Sequence, residues 1–267
     1  MSSHNLKGTA LITGASSGIG ATYAERLARR GLDLLLVARD QKRLDELAQR
    51  LGGEYGVKVD TLKADLTQRA DLRAVEQRLA TDAAIKVLVN NAGVAQNGTL
   101  ADADLDQVDS MIQLNVTALT HLSAVAAKRF GDAGEGAIIN LASVVALIPE
   151  MFNATYSATK AYVLSLTQTL NHEVAAKGVQ VQAVLPGITR TEIWERSGID
   201  AAHLDPNMIM EAGEMVDAAL AGFDQGELVT IPSLPDAADW AAVVSARTKL
   251  GPNMSRSSAA ARYKTAG

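Results

Sequence analysis

The run Leu34-Leu35-Leu36-Val37-Ala38 has no polar position. A strand with one face in water alternates polar and apolar residues. A strand that is apolar on both faces needs helices on each side, which is the situation inside a parallel sheet. Residues 9–13, 34–38, 58–64, 86–90, 137–141, 179–185 and 228–231 all read as strands, several of them apolar almost throughout. Helical patterns lie between them. Leu44, Leu47, Ala48 and Leu51 repeat at i, i+3, i+4 and i+7, with Asp40 placed to cap that helix. Further helices are expected over about 70–83, 104–130 and 155–176. This alternation predicts an α/β fold: a doubly wound parallel sheet, helices on both faces, and right-handed crossovers. No internal repeat or linker interrupts it, so residues 1–267 are expected to form a single domain. The last ~15 residues, rich in Ser, Ala and Arg, read as a loosely held tail.

Composition removes several function classes. There is no cysteine, which excludes a disulfide scaffold, a thiol nucleophile and a cysteine zinc site. The net charge is −5 and no basic tract occurs, so nucleic acid is not an expected partner. No apolar run approaches the roughly 20 residues a membrane span needs. Residues 1–7 form a short polar arm without an apolar signal core, and a cytoplasmic location is expected. His4, His121, His172 and His203 show no metal-ligand spacing, so no metal site is expected.

The first strand runs into Thr13-Gly14-Ala15-Ser16-Ser17-Gly18-Ile19-Gly20, and a helix follows. A strand-to-helix turn aims free backbone N–H groups and the positive end of the helix at one point, which suits a pyrophosphate. Gly14 permits the tight turn, Gly18 lets the backbone approach the phosphates, and Gly20 lets the helix pack on the strand. The spacing G-x-x-x-G-x-G lacks the Gly-Lys-Ser/Thr of an ATP loop. In such folds an acid at the end of the second strand binds the 2′-hydroxyl of NAD, whereas an Arg accommodates the 2′-phosphate of NADP. Here the strand ends Val37-Ala38-Arg39. A guanidinium attracts a phosphate dianion, so the expected cofactor is NADP(H) rather than NAD(H). The alternative is a surface Arg39 paired with a helix carboxylate such as Glu46.

Tyr156 and Lys160 stand at i and i+4, on one helix face. A phenol titrates near pH ~10 and is a poor acid/base near neutrality. A neighbouring ammonium is expected to lower that value and make the pair a tuned general acid/base. Ser143 follows the fifth strand, at the carboxyl edge where ligands bind in open α/β sheets, and its hydroxyl can hold a substrate oxygen. A Tyr-x-x-x-Lys pair alone is commonly an ordinary surface pair. Its weight comes from chain order: phosphate turn, Asn90-Asn91-Ala92-Gly93 after the fourth strand, Ser143, then the pair.

In this set and order the sequence resembles the short-chain dehydrogenase/reductase family, from about residue 7 to 231. The resemblance implies a Rossmann-type sheet of seven parallel strands in the order 3-2-1-4-5-6-7. It implies Tyr156 as acid/base, Lys160 on the nicotinamide ribose, Ser143 orienting the substrate, and Asn115 in a proton relay through a water and Lys160. Cofactor contacts are implied at Gly14, Ser16, Ser17, Gly18, Ile19, Gly20 and Arg39. They continue at Asp65 and Leu66 beside the adenine, at Asn91, Ala92 and Gly93 after the fourth strand, at Tyr156 and Lys160, and at Pro186, Gly187, Ile188 and Thr191 around the nicotinamide. The carboxyl terminus resembles a bacterial subset often labelled DltE-like, a label that fixes no substrate.

The segment 189–215 falls where that family places its substrate lid. Ile193, Trp194, Ile199 and Leu204 suggest a partly apolar pocket, with Ile193 and Trp194 as candidate substrate contacts. Met208, Met210 and Met215 are expected on a helix, and Glu192, Glu195 and Arg196 are expected to be solvated. The two long helices match the family's dimer-forming pair, so a homodimer or homotetramer is expected. The expected activity is hydride transfer between NADP(H) and a small-molecule carbonyl or alcohol. Two rivals remain at this level: an NAD-dependent alcohol dehydrogenase, and a cofactor-binding scaffold without catalysis.

Overall fold

The computed structural model describes residues 7–192 and 205–264. Residues Met1–Pro232 make one compact unit and Ser233–Gly267 a second. Nine strands are present among the described residues: β1 (Thr9–Thr13), β2 (Asp33–Ala38), β3 (Val59–Lys63), β4 (Ile85–Asn90), β5 (Gly136–Leu141), β6 (Val179–Val184), β7 (Thr189–Arg190), β8 (Met210–Glu211) and β9 (Val229–Thr230). Seven of them form one sheet in the order β3-β2-β1-β4-β5-β6-β9. All its pairings are parallel. This is the expected order, with β9 as the seventh strand. β7 and β8 pair separately, a two-residue ladder absent from the sequence reading.

The apolar run in β2 explains the layering. Leu34 and Leu36 point to one face, where they meet Tyr23, Leu27, Leu44 and Phe223. Leu35 and Val37 point to the other, where they meet Leu72, Leu79, Leu122 and Phe130. The first face is covered by α1 (Gly18–Arg29), α2 (Gln41–Tyr55) and α7 (Ala212–Asp224). The second is covered by α3 (Arg69–Thr81), α5 (Leu119–Ala133) and α6 (Ala154–Val174). Each fully buried leucine contributes about 1.5–3 kcal/mol, so neither face can be left to solvent. Asp40 caps α2 as expected, its carboxylate accepting from the Arg43 N–H at 3.1 Å.

Two local expectations are corrected. The single helix over 104–130 is instead α4 (Leu105–Ile112), a wide π turn over Gln113–Ala118, and α5. Both parts keep the same apolar face, so side-chain periodicity does not register the inserted turn. Of the three methionines expected on one helix, only Met215 is helical and buried. Met208 lies in the short turn Pro206–Met208, started by Pro206 with Asp205 as cap, and Met210 lies in β8. Before the expected tail, α8 (Ala237–Leu250) forms, capped by Asp236, a helix absent from the expected set. Its alanine-rich sequence has no apolar stripe and none of its residues is buried, so periodicity gave it no signal. Among the described residues no helix is long and apolar enough to cross a membrane.

Candidate active site

The glycine turn is held by its neighbours. Thr13 Oγ1 accepts from the backbone N–H groups of Asn91 and Ala92, both at 3.0 Å. The Asn91 amide donates back to the carbonyls of Thr13 (2.9 Å) and Gly14 (3.2 Å). The ends of β1 and β4 are thereby tied together. Gly14 and Gly18 adopt φ of 66° and 53°, a region that disfavours any side chain. A Cβ on Gly20 would lie 2.3 Å from the Gly14 carbonyl oxygen and 2.5 Å from the Asn91 amide nitrogen. Gly14 and Gly18 thus take backbone conformations that favour glycine, and Gly20 lets α1 sit against the turn.

Ser17 is the N-cap of α1 but makes no side-chain cap bond, whereas α2, α4 and α6 are capped by Asp40, Asp104 and Asn153. The first-turn N–H groups of α1 are therefore available to an anion, at the positive end of the helix. Ser16 and Ser17 are half-buried at this point, and Ile19 packs into the first-face core. The turn has the geometry a dinucleotide pyrophosphate requires.

The adenosine end departs in detail from expectation. Arg39 is exposed directly after β2. Glu46 is engaged with Lys42 at 3.8 Å, so the alternative pairing for Arg39 is not made. One helical turn on, Arg43 Nη1 donates to both carboxylate oxygens of Glu192, at 3.0 and 2.8 Å. Glu192 is therefore an ion-pair partner of α2 while its side chain stays in contact with solvent, because the chain after β7 passes close to the start of α2. Asp65 Oδ1 accepts from the Thr67 N–H (3.0 Å) and hydroxyl (2.7 Å), shaping the turn after β3. The Leu66 side chain is buried in the core.

At the carboxyl edge of β5, Ser143 starts a short turn, its hydroxyl donating to the Pro186 carbonyl at 3.4 Å and standing beside the Tyr156 phenol. Burial pushes the phenol up to about 12, and the neighbouring Ser143 hydroxyl opposes that rise. Lys160, 7% exposed, is held down to about 8 by burial. Its Nζ donates to the Leu141 carbonyl at 2.8 Å and lies 5.6 Å from the Tyr156 ring centre. The expectation that an ammonium draws the phenol downward is thus reversed: desolvation dominates both groups and favours a neutral phenol.

Asn115 sits in the π turn. Its side-chain Oδ1 accepts from the Val94 N–H, and its Nδ2 donates to the Val94 carbonyl, both at 2.9 Å. Nδ2 also donates to Thr159 Oγ1 at 3.2 Å. The side chain therefore fixes the chain leaving β4. A Cβ on Gly93 would stand 3.2 Å from Asn115 Oδ1 and 3.7 Å from Lys160 Nζ, so Gly93 lies between the two.

Pro186, Gly187 and Ile188 follow β6, and β7 then carries the chain to Thr191, whose side chain faces Gly18 across the groove. The expected lid is pinned at both ends by the β7–β8 pairing and by the Arg190–Glu211 ion pair at 2.6 Å. Ile193, Trp194, Ile199 and Leu204, the expected substrate contacts among them, lie outside the described residues. The sequence reading missed Arg43, Phe152, Asn153 and Thr159. Asn153 carried a legible signal, a cap residue just before the helix that bears Tyr156. Arg43 and Thr159 are placed by contacts with the distant Glu192 and Asn115 that no local pattern announces, and Phe152 stands four residues before Tyr156, against its ring. Among the described residues no group of His, Asp or Glu has a metal-holding arrangement.

Comparison with known proteins agrees with this geometry. A short-chain dehydrogenase from Sphingobium yanoikuyae, solved in complex with NADPH, is 56% identical. It superposes with a TM-score of 0.93 over 96% of this chain and 100% of that one. A bulky-bulky ketone specific alcohol dehydrogenase from Comamonas testosteroni is 49% identical, with a TM-score of 0.89 over 97% of this chain and 99% of that one. An uncharacterized oxidoreductase of Staphylococcus epidermidis is 34% identical over 226 residues, 83% of this chain and 93% of that protein. The family model described as short chain dehydrogenase matches residues 8–201. Ordered strands, glycine turn and Ser–Tyr–Lys cluster therefore have one source: this chain belongs to the short-chain dehydrogenase family.

Proposed function

We propose that this protein is an NADP(H)-dependent reductase of ketones, with hydride and proton delivered at the carboxyl edge of the sheet. The observation that carries the reading is the cluster of Ser143, Tyr156 and buried Lys160 at the carboxyl edge of β5, with Lys160 Nζ 5.6 Å from the Tyr156 ring centre. When bound, NADPH supplies the hydride. Gly14, Ser16, Ser17, Gly18, Ile19 and Gly20 would hold its pyrophosphate, together with Asn91, Ala92 and Gly93. Arg39 would bind the 2′-phosphate, and Asp65 and Leu66 would contact the adenine. Pro186, Gly187, Ile188 and Thr191 would contact the nicotinamide, and Lys160 would bind its ribose.

Ser143 and Tyr156 donate hydrogen bonds to the substrate carbonyl oxygen. Tyr156, kept protonated by burial, releases its proton as negative charge develops on that oxygen. Lys160 returns a proton to Tyr156 through a water, which the main chain of Asn115 would hold in place. In the alcohol-oxidising direction Tyr156 acts as the base.

A ketone with two large substituents is the substrate class proposed. Two observations support it: the similarity to the Comamonas enzyme, and the apolar side chains Leu100, Leu147, Ile148 and Met151, which stand exposed on the segments next to Asn115, Ser143 and Tyr156. Residues 8–232 form the catalytic domain in this reading, with 189–215 as its lid and Ile193 and Trp194 facing the substrate. Leu105, Ile112 and Tyr162 are exposed on α4 and α6. This supports a homodimer or homotetramer built on those helices, checked by light scattering, where a monomeric mass contradicts it. The activity test is NADPH oxidation at 340 nm across a carbonyl panel that includes valerophenone and diacetyl. Turnover is expected with NADPH well above NADH. NADPH binding without oxidation of any panel member contradicts the reading.

A further inference from the structure

The segment after β4, residues 94–104, and the segment before α6, residues 144–153, are far apart in sequence, and one side chain joins them. Asn153 Nδ2 donates to the Gly98 carbonyl at 2.7 Å, across 55 residues. Its Oδ1 accepts from the Tyr156 N–H at 3.1 Å and so caps α6. The orientation of the amide is fixed by its partners, since one is a donor and the other an acceptor. Gly98 itself stands at φ 94°, a conformation that its neighbours in this loop could not share cheaply. The Phe152 ring meets Tyr156 edge-on, with centroids 5.3 Å apart. The two segments carry exposed apolar residues, Leu100 on one and Leu147, Ile148 and Met151 on the other.

We propose that Asn153 is a positioning residue that ties the 94–104 rim to the helix turn bearing Tyr156, and so sets the size of substrate the site accepts. The proposal rests on the reading of Tyr156 as proton donor. Only an amide performs both tasks. Aspartate keeps the capping oxygen, indeed with a charge that suits a helix N-terminus, but has nothing to donate to Gly98. Alanine loses both bonds. The rim then moves relative to Tyr156, and a large ketone loses its fit while a small one has little to lose.

The test compares full-length Asn153→Asp and Asn153→Ala with wild type. Valerophenone and diacetyl serve as large and small ketones, and backbone amide exchange is read at 95–100. A neutral hydrogen bond is worth roughly a 3- to 10-fold change in an equilibrium constant. Asn153→Asp is expected to lower the valerophenone-to-diacetyl ratio of kcat/KM by about that factor, with the change in KM. It is also expected to speed exchange at 95–100 while leaving the start of α6 protected. Asn153→Ala is expected to lower kcat as well, because the helix turn under Tyr156 frays. An Asp variant with wild-type substrate ratio and wild-type exchange overturns the proposal, as does an Asp variant indistinguishable from Ala. Failure of the underlying reading shows elsewhere: Tyr156→Phe then turns over like wild type. If wild type reduces neither ketone, amide exchange alone decides the proposal.

Discussion

Replacing Lys160 with methionine is expected to abolish most turnover and, at neutral pH, to make the fold more stable. Lys160 is 7% exposed and its amine is held at about 8, against the usual 10.5, because burial disfavours the ammonium. Keeping that charge inside the fold costs about 3 kcal/mol at pH 7. Methionine fills a similar volume with no charge. It also leaves the Leu141 carbonyl without its 2.8 Å donor, which returns about 1 kcal/mol. The variant should lead by about 2 kcal/mol at pH 7. The pH dependence follows from proton counting. Below pH 8 the lysine is protonated both folded and unfolded, and the penalty is complete. Between about 8 and 10.5 the unfolded chain holds a proton that the folded chain gives up, so wild-type stability rises with pH. The gap should close at about pH 9.5. Tyr156, raised to about 12, works in the opposite sense above pH 10, but equally in both proteins. Denaturant unfolding of both chains from pH 6.5 to 10 measures the gap. A gap that does not change with pH, or a wild type that is the more stable at pH 7, refutes the electrostatic account of this site.

Gly20→Ala drives a methyl group into the Gly14 carbonyl and the Asn91 amide, and overpacking of this kind costs about 1–3 kcal/mol. NADPH affinity, followed by its fluorescence, should fall by about tenfold, and an unchanged affinity contradicts the role given to that glycine. Arg39→Asp exchanges attraction for repulsion at the 2′-phosphate and should reduce the NADPH-to-NADH ratio of kcat/KM by at least about tenfold; a constant ratio would move the 2′-phosphate contact elsewhere. Glu192→Gln removes the carboxylate that Arg43 grips. Both side chains are more than two-fifths exposed, so stability should stay within about 0.5 kcal/mol. Stopped-flow release of NADPH should become less sensitive to salt, and an unaltered salt dependence separates the ion pair from cofactor exchange.

Most of the architecture was readable because its determinants are local. The fully apolar β2 required cover on both faces, and the glycine spacing marked the one strand-to-helix turn able to take a pyrophosphate. Tyr156 and Lys160 were visible as neighbours because helix geometry alone places i and i+4 together. Their titration behaviour was not, since the sequence shows that a lysine is close but not that both groups leave water; desolvation outweighs proximity here. The π turn at Asn115 was hidden because it leaves the apolar face intact. The Asn153–Gly98 and Arg43–Glu192 bonds join residues 55 and 149 positions apart, and only the folded chain reveals them. α8 escaped for a different reason: with no buried face it has no period to detect.

The central claim is that Tyr156 delivers the proton, and Tyr156→Phe tests it most directly when NADPH affinity and turnover are measured on the same protein. The ring, its packing against Phe152 and the glycine turn all remain, and only the phenolic oxygen is removed. The account predicts NADPH binding within about twofold of wild type and turnover lower by about 10²- to 10⁴-fold, the usual share of a general acid. A phenylalanine variant that binds NADPH and reduces its ketone at the wild-type rate would contradict the account.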